Sequence, residues 1–209
     1  MLLLRATKAN ISQAAKTVKN GGLVVYPTDT VYGLGCDPFN TDAVRKLFKA
    51  KGERKNKPLP ILAVSLKAVE RIAYIDENAR KITKKYWPGP LTLVVPKKPT
   101  LPNIVTCKLE SVGVRIPNHK VALQLIALSD GLLVGTSANK TGEKSPETAQ
   151  EAAIQLGEEV DIILDDGLTP LGQESSIIDL TQKEPKILRE GTIKLKHITN
   201  TINDIQPFK

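Results

Sequence analysis

The chain is poor in aromatic residues, which make up 4% of its 209 positions, with one Trp and three Phe. Its core must therefore rest on Leu, Ile, Val and Ala. Cysteine is scarce: Cys36 and Cys107 form no CxxC pair and no metal-ligand spacing, and only two His accompany them. That excludes a disulfide framework and disfavours a structural zinc site. No apolar run approaches the ~20 residues of a membrane span. The opening Met1-Leu2-Leu3-Leu4-Arg5 is too short for a secretory signal. A reduced, cytoplasmic protein is expected. Familiar fingerprints are missing too: there is no GxGxxG after a strand, no GxxxxGK[ST], no GxSxG and no HExxH.

The content that remains is that of a folded protein, with 41% hydrophobic and 25% charged residues. The length suits one domain, and residues 1–209 are read as such. Formal net charge is +8, and it is unevenly spread. Residues 1–120 carry 22 Lys/Arg against 8 Asp/Glu, whereas residues 121–209 carry 8 against 14. Arg45 to Lys57 is the densest basic stretch. Such a field attracts phosphates or nucleic acid, unless it is only a solvated helix face.

Apolar segments alternate with amphipathic ones. Helices are expected at 10–20, after the cap Thr41 to about 52, after the caps Ser65 and Asp76, at 121–128 and at 148–156. Strands are expected at 23–26, 59–64, 91–95, 112–116, 132–135, 160–164, 176–180 and 186–188. The last strands follow one another with turns between them. The fold class is therefore α/β, with helices flanking one twisted, mixed sheet.

Two loops at strand ends draw attention. Pro27-Thr28-Asp29-Thr30-Val31-Tyr32-Gly33-Leu34-Gly35 combines glycines with small hydroxyl side chains. Thr136-Ser137-Ala138-Asn139 follows another strand, with Ser145 just beyond. Both suit phosphate or carboxylate recognition, and both also suit structural turns. Arg115 sits inside an apolar strand and needs a buried anion, a ligand anion or an exposed face. Further polar stretches stand at Gly172-Gln173-Glu174-Ser175-Ser176 and Leu188-Arg189-Glu190-Gly191. His119 reads as a helix-start residue and His197 as a surface residue.

These pieces carry a resemblance. PTDTVYGLG at 27–35, Lys51 with Arg54 and Lys57-Pro58-Leu59, Trp87-Pro88-Gly89-Pro90-Leu91-Thr92, Val114-Arg115-Ile116-Pro117, Ser137-Ala138-Asn139 and Leu188-Arg189-Glu190-Gly191 occur in that order. Together they resemble the YrdC/Sua5 family, the threonylcarbamoyl-AMP synthases of tRNA modification, over about residues 10–195. The chain ends soon after Arg189, as in the short, single-domain form. The resemblance implies a twisted α/β sheet with a positively charged concave face. It implies the conversion of L-threonine, bicarbonate and ATP to L-threonylcarbamoyl-AMP and pyrophosphate. A partner complex would then transfer the group to tRNA.

Under that resemblance, Thr30, Arg115, Gly135 and Ser176 would serve L-threonine. Lys51, Arg54, Lys57, Ser137, Asn139, Ser145 and Arg189 would serve ATP. Mg2+ would accompany the triphosphate, although no carboxylate cluster is evident for it. No protein nucleophile is expected, since the chemistry needs positioning and charge relief. The family commonly reads Lys-x-Arg where this chain has Lys51-Gly52-Glu53-Arg54, so Arg54, Lys55 and Lys57 all stay open as the phosphate contact. Two alternatives remain: a non-catalytic protein that binds tRNA or double-stranded RNA, and a carbamoyl-transfer module like that of hydrogenase-maturation proteins.

Overall fold

A computed structural model describes residues 1–52, 57–194, 196–197 and 200–201. Its strands are β1 (Leu2–Arg5), β2 (Val24–Tyr26), β3 (Gly33–Gly35), β4 (Ile61–Ala63), β5 (Leu91–Pro96), β6 (Ser111–Arg115), β7 (Leu132–Val134), β8 (Thr136–Ser137), β9 (Ile162–Asp165), β10 (Ser176–Asp179) and β11 (Lys186–Arg189). Its helices are α1 (Lys8–Lys19), α2 (Thr41–Ala50), α3 (Leu66–Val69), α4 (Glu77–Tyr86), α5 (Lys120–Leu128) and α6 (Ala149–Leu156).

Local chemistry accounts for the helix starts. Thr7, Asn40, Ser65, Asp76 and Thr148 each cap a helix by accepting a backbone N–H of the first turn. Thr148 and Glu151 complete a capping box on α6. His119 caps α5 in sequence, but its side chain makes no capping bond.

The expected single sheet is two mixed sheets. One runs β1-β9-β2-β3-β8 and the other β11-β10-β5-β6-β4-β7. The division falls where the sequence reading had one strand, at 132–135. Leu132–Val134 pairs antiparallel with β4, whereas Thr136–Ser137 pairs antiparallel with β3. Gly135 stands between them, and a Cβ there would come within 2.3 Å of Leu62 Cγ. Only glycine lets the chain pass that closely from one sheet to the other.

The sheets are buried on both faces. Val25, Leu34, Ile61, Leu93, Val114 and Ile163 point into the larger core cluster. Val24, Tyr26, Leu62, Leu133, Ile162 and Leu164 point the other way, onto Ile11, Ala14, Ala15 and Val18 of α1 and onto Ala122, Leu125 and Ile126 of α5. The alternation Val24/Val25/Tyr26 is the period-2 signature of a strand covered on both sides. Helices α1 and α5 thus cover strands of both sheets and hold them side by side. No described helix is long and apolar enough to cross a membrane.

Candidate functional site

The crossing at Gly135 opens a cavity of about 220 Å³ between the sheets. Its walls include Thr28, Thr30 and Tyr32 from the first loop, Gly135, Thr136 and Ser137 from the second, and Thr92, Arg115, Glu174, Ser175 and Arg189 from the second sheet and the segment leading into it. The two loops face each other because β3 pairs with β8, Gly33 opposite Ser137.

The first loop is folded by Thr28. Its hydroxyl donates to the Val31 carbonyl at 2.6 Å and accepts the Thr30 and Val31 N–H groups at 3.1 and 3.3 Å. This turn aims Thr30 at Arg115, whose Nη1 donates to Thr30 Oγ1 at 3.0 Å. Arg115 ends β6 and is 5% exposed. Its Nε donates to the Gly89 carbonyl at 2.9 Å, and its Nη2 is ion-paired with Asp29. The anion this strand arginine requires is therefore inside the protein. Burial lowers the Arg115 pKa and the Asp29 carboxylate opposes that shift. The guanidinium stays charged. The Trp87–Pro90 motif contributes a carbonyl to this guanidinium, and Trp87 Nε1 fastens the turn to the Leu91 carbonyl at 2.7 Å.

The second loop is held from behind. Lys51 is 3% exposed, and its Nζ donates to the carbonyls of Ser137 and Asn139 at 2.6 and 2.7 Å. Asn139 turns its amide to the Lys140 and Glu143 carbonyls. Both residues lie beneath the cavity wall. Ser145 Oγ donates to Glu174 Oε1 at 2.7 Å. Glu174 Oε2 is also ion-paired with Arg189. Arg189 is anchored independently, with Nε on the Ser175 carbonyl at 3.0 Å and Nη2 on Ser175 Oγ at 3.3 Å.

Of the residues anticipated for L-threonine, Thr30, Arg115 and Gly135 meet at the cavity. Ser176 does not reach it. That residue is fully buried, and its hydroxyl donates to the Ile193 carbonyl while accepting the Gly191 and Ile193 N–H groups. Of those anticipated for ATP, Ser137 and Arg189 line the cavity, and Lys51, Asn139 and Ser145 support its rim. Lys57 is exposed beside Pro58, which lines the cavity. Arg54, like Lys55, lies outside the described residues.

Asp29, Thr92, Glu174 and Ser175 received no role from the sequence. The requirement of Arg115 for an anion was a signal that could have found Asp29. Nothing comparable pointed to Glu174. Tyr32 spans from the cavity to the end of β9, donating to the Gly167 carbonyl at 2.7 Å and accepting the Asp166 N–H at 3.2 Å. Burial pushes its hydroxyl up to about 12, so it stays protonated. No group of three or more His, Cys, Asp or Glu able to hold a metal occurs among the described residues.

Known proteins are similar to this chain in sequence and fold. A threonylcarbamoyl-AMP synthase from Pyrococcus abyssi is 40% identical over 203 residues, 97% of this chain and 60% of its own length. A putative threonylcarbamoyl-AMP synthase from Mycobacterium tuberculosis H37Rv is 37% identical over 92% of this chain and 88% of its own length. The crystal structure of Pyrococcus abyssi Sua5 complexed with L-threonine superposes with a TM-score of 0.92 at 38% identity, covering 100% of this chain and 61% of that one. The chain thus spans about three-fifths of the length of the Pyrococcus relative. The family model described as "Telomere recombination" matches residues 16–191, and the chain belongs to the Sua5/YciO/YrdC family.

Proposed function

We propose that the chain forms L-threonylcarbamoyl-AMP and pyrophosphate from L-threonine, bicarbonate and ATP, for threonylcarbamoyladenosine modification of tRNA. The observation that carries this reading is one cavity walled by two arginines with different neighbours. Arg115 with Thr30 offers fixed donors for the carboxylate of a small amino acid. Arg189 with Ser137 offers donors for phosphate oxygens. The names of the relatives and the threonine complex of the Pyrococcus protein support the substrate class.

The reaction needs no protein nucleophile. The amine of threonine bonds to the carbon of CO2 derived from bicarbonate and loses a proton. A carbamate oxygen then attacks the α-phosphorus, and the bond to the bridging oxygen breaks as pyrophosphate departs. The chain holds two anions in line and offsets the charge that develops on the leaving group. Lys51 contributes by fixing the 137–139 backbone. Glu174 is the one carboxylate of the described cavity wall, which does not build a magnesium cage. The expected Mg2+ would arrive with ATP as part of that substrate.

The excess of Lys/Arg in residues 1–120 supports a cationic surface for tRNA, and the scarcity of cysteine suits a reducing, cytoplasmic setting beside a transferase complex. We read residues 1–209 as one domain with its motif-bearing core at about 10–195. The test is incubation with ATP, L-threonine, bicarbonate and Mg2+, with mass detection of the adenylate and assay of pyrophosphate. L-serine should support roughly tenfold less, since one methyl group contributes ~1–3 kcal/mol. No pyrophosphate above background would refute the reading. RNA binding without turnover would favour the non-catalytic alternative.

A further inference from the structure

We infer that Glu174 is an internal stand-in for ligand phosphate, which holds the anion position of the cavity and must swing aside before a nucleotide can use it. The inference rests on the synthase reading above. Two groups suited to phosphate oxygens, Arg189 Nη1 and Ser145 Oγ, converge on the two oxygens of this one carboxylate. A carboxylate bridging a guanidinium and a hydroxyl presents the same acceptor pattern as a phosphate edge.

The surroundings show that the carboxylate is a competitor and not the clamp that positions Arg189. Arg189 belongs to β11, where it pairs with Ile177 of β10. Its Nε and Nη2 bond Ser175, contacts that do not run through Glu174. Removing the carboxylate therefore frees Nη1 without releasing the side chain. The Glu174 backbone is pinned. Its carbonyl accepts the Thr192 N–H at 3.1 Å, and a Cβ on Gly191 would stand 2.2 Å from that oxygen. Only the side chain can move. The Glu174 and Arg189 side chains are 34% and 38% exposed, so water can take over the vacated bonds.

Charge balance gives the device its purpose. Among the described wall residues the cations are Arg115 and Arg189. Asp29 neutralises the first and Glu174 the second. Among the described wall residues, phosphate oxygens reach the Nη1 of Arg189 by displacing Glu174, whereas the threonine carboxylate is assigned to Arg115 and Thr30. Stray weak anions are thereby rejected, while a ligand with many contacts pushes through.

The experiment is isothermal titration of the 209-residue chain and its Glu174→Gln variant with inorganic pyrophosphate, ATP and L-threonine. Glutamine keeps the shape and removes the charge. A competing, partly exposed ion pair predicts about two- to fivefold tighter pyrophosphate and ATP in the variant. The gain should shrink as salt rises, and L-threonine affinity should be unchanged. Unchanged or weaker pyrophosphate binding, with an intact melting temperature, would overturn the inference. A gain in affinity is an effect that loss of a structural contact would not produce. Should Glu174→Gln fold poorly, Glu174→Asp applies the same test, because the shorter side chain withdraws from Arg189 and an affinity gain is again required. Wild-type protein that binds neither ATP nor pyrophosphate would overturn the synthase reading together with this inference. Wild-type binding without a gain in either variant would overturn this inference alone.

Discussion

Replacing Asp29 by Ala leaves the Arg115 guanidinium buried with two neutral partners, the Gly89 carbonyl and Thr30 Oγ1. The size of the effect depends on whether the pair is exposed or buried. Exposed pairs are worth ~0–1 kcal/mol. Here both side chains are 6% exposed, which puts the pair in the buried regime. Deleting one member of a buried pair costs ~3–5 kcal/mol, because the other charge is left uncompensated. That is a large share of the ~5–15 kcal/mol that holds a typical domain folded. With a urea m-value of ~2 kcal/mol/M, the midpoint should fall by about 1.5–2.5 M. Asp29→Asn keeps an acceptor and should lie in between. Asp29→Ala combined with Arg115→Met removes both charges and should recover much of the loss in stability, while L-threonine binding is lost with the guanidinium. A loss below about 1 kcal/mol in Asp29→Ala, or a double variant equal to the sum of the singles, would refute the reasoning.

Ser176→Ala strips the acceptor from the Gly191 and Ile193 N–H groups. It should cost ~1–3 kcal/mol in urea unfolding while changing L-threonine affinity little. Arg189→Ala should lower kcat/KM for adenylate formation by roughly 10–100-fold, the worth of one charge-assisted contact, while bulk RNA binding measured by filter retention stays nearly unchanged. His119 titrates below its ordinary value of 6.5, chiefly through burial, with Asp166 and Asp29 pulling the other way. The unfolded chain therefore binds the proton more readily. Stability from this group is present above pH 6.5 and is lost as pH falls through the folded value. His119→Gln should flatten that slope in urea midpoints compared between about pH 7.5 and about pH 5.5.

Much of the architecture was legible because the long elements carry strong signals. The caps Ser65 and Asp76 and the apolar face of α1 each have a local physical cause, whereas the cap expected at Thr41 is taken by Asn40, one residue earlier, whose side chain accepts the Asp42 and Ala43 N–H groups. Strands β3 and β8 were read as loops because Gly33–Gly35 and Thr136–Ser137 lack β-branched apolar runs, and they are strands by virtue of long-range pairing, β3 with β2 and β8 with β3. Edge strand β1 was passed over: its Leu2 and Leu3 are exposed, and only pairing with β9 makes it a strand. At the site, Arg115 announced its need for an anion, since a charged residue in an apolar strand is a local anomaly. Glu174 stood in a polar stretch that drew notice, but its pairing was not legible, because Ser145 and Arg189 reach it only through the fold. Ser176 reads the same way whether its hydroxyl meets a ligand or the backbone, and only the course of 191–193 distinguishes the two.

The pairing of Leu2–Arg5 with Ile162–Asp165 sets an order of events on the ribosome. At ~5–20 residues per second, roughly 8–30 s separate the synthesis of these two strands. The hairpin of β5 and β6 joins nearby segments, Pro96 opposite Ser111, and can close early. Strand β1 must wait for β9, and so must the outer flank of β2, where Val24 and Val25 meet Ile162 and Ile163. Throughout that interval Leu2, Leu3 and Leu4 are exposed on an unpaired strand, the kind of segment chaperones shield. A nascent chain arrested before Ile162 carries both ligand loops yet lacks β9, which flanks β2, and the wall formed by Glu174, Ser175 and Arg189, so the site comes into being late.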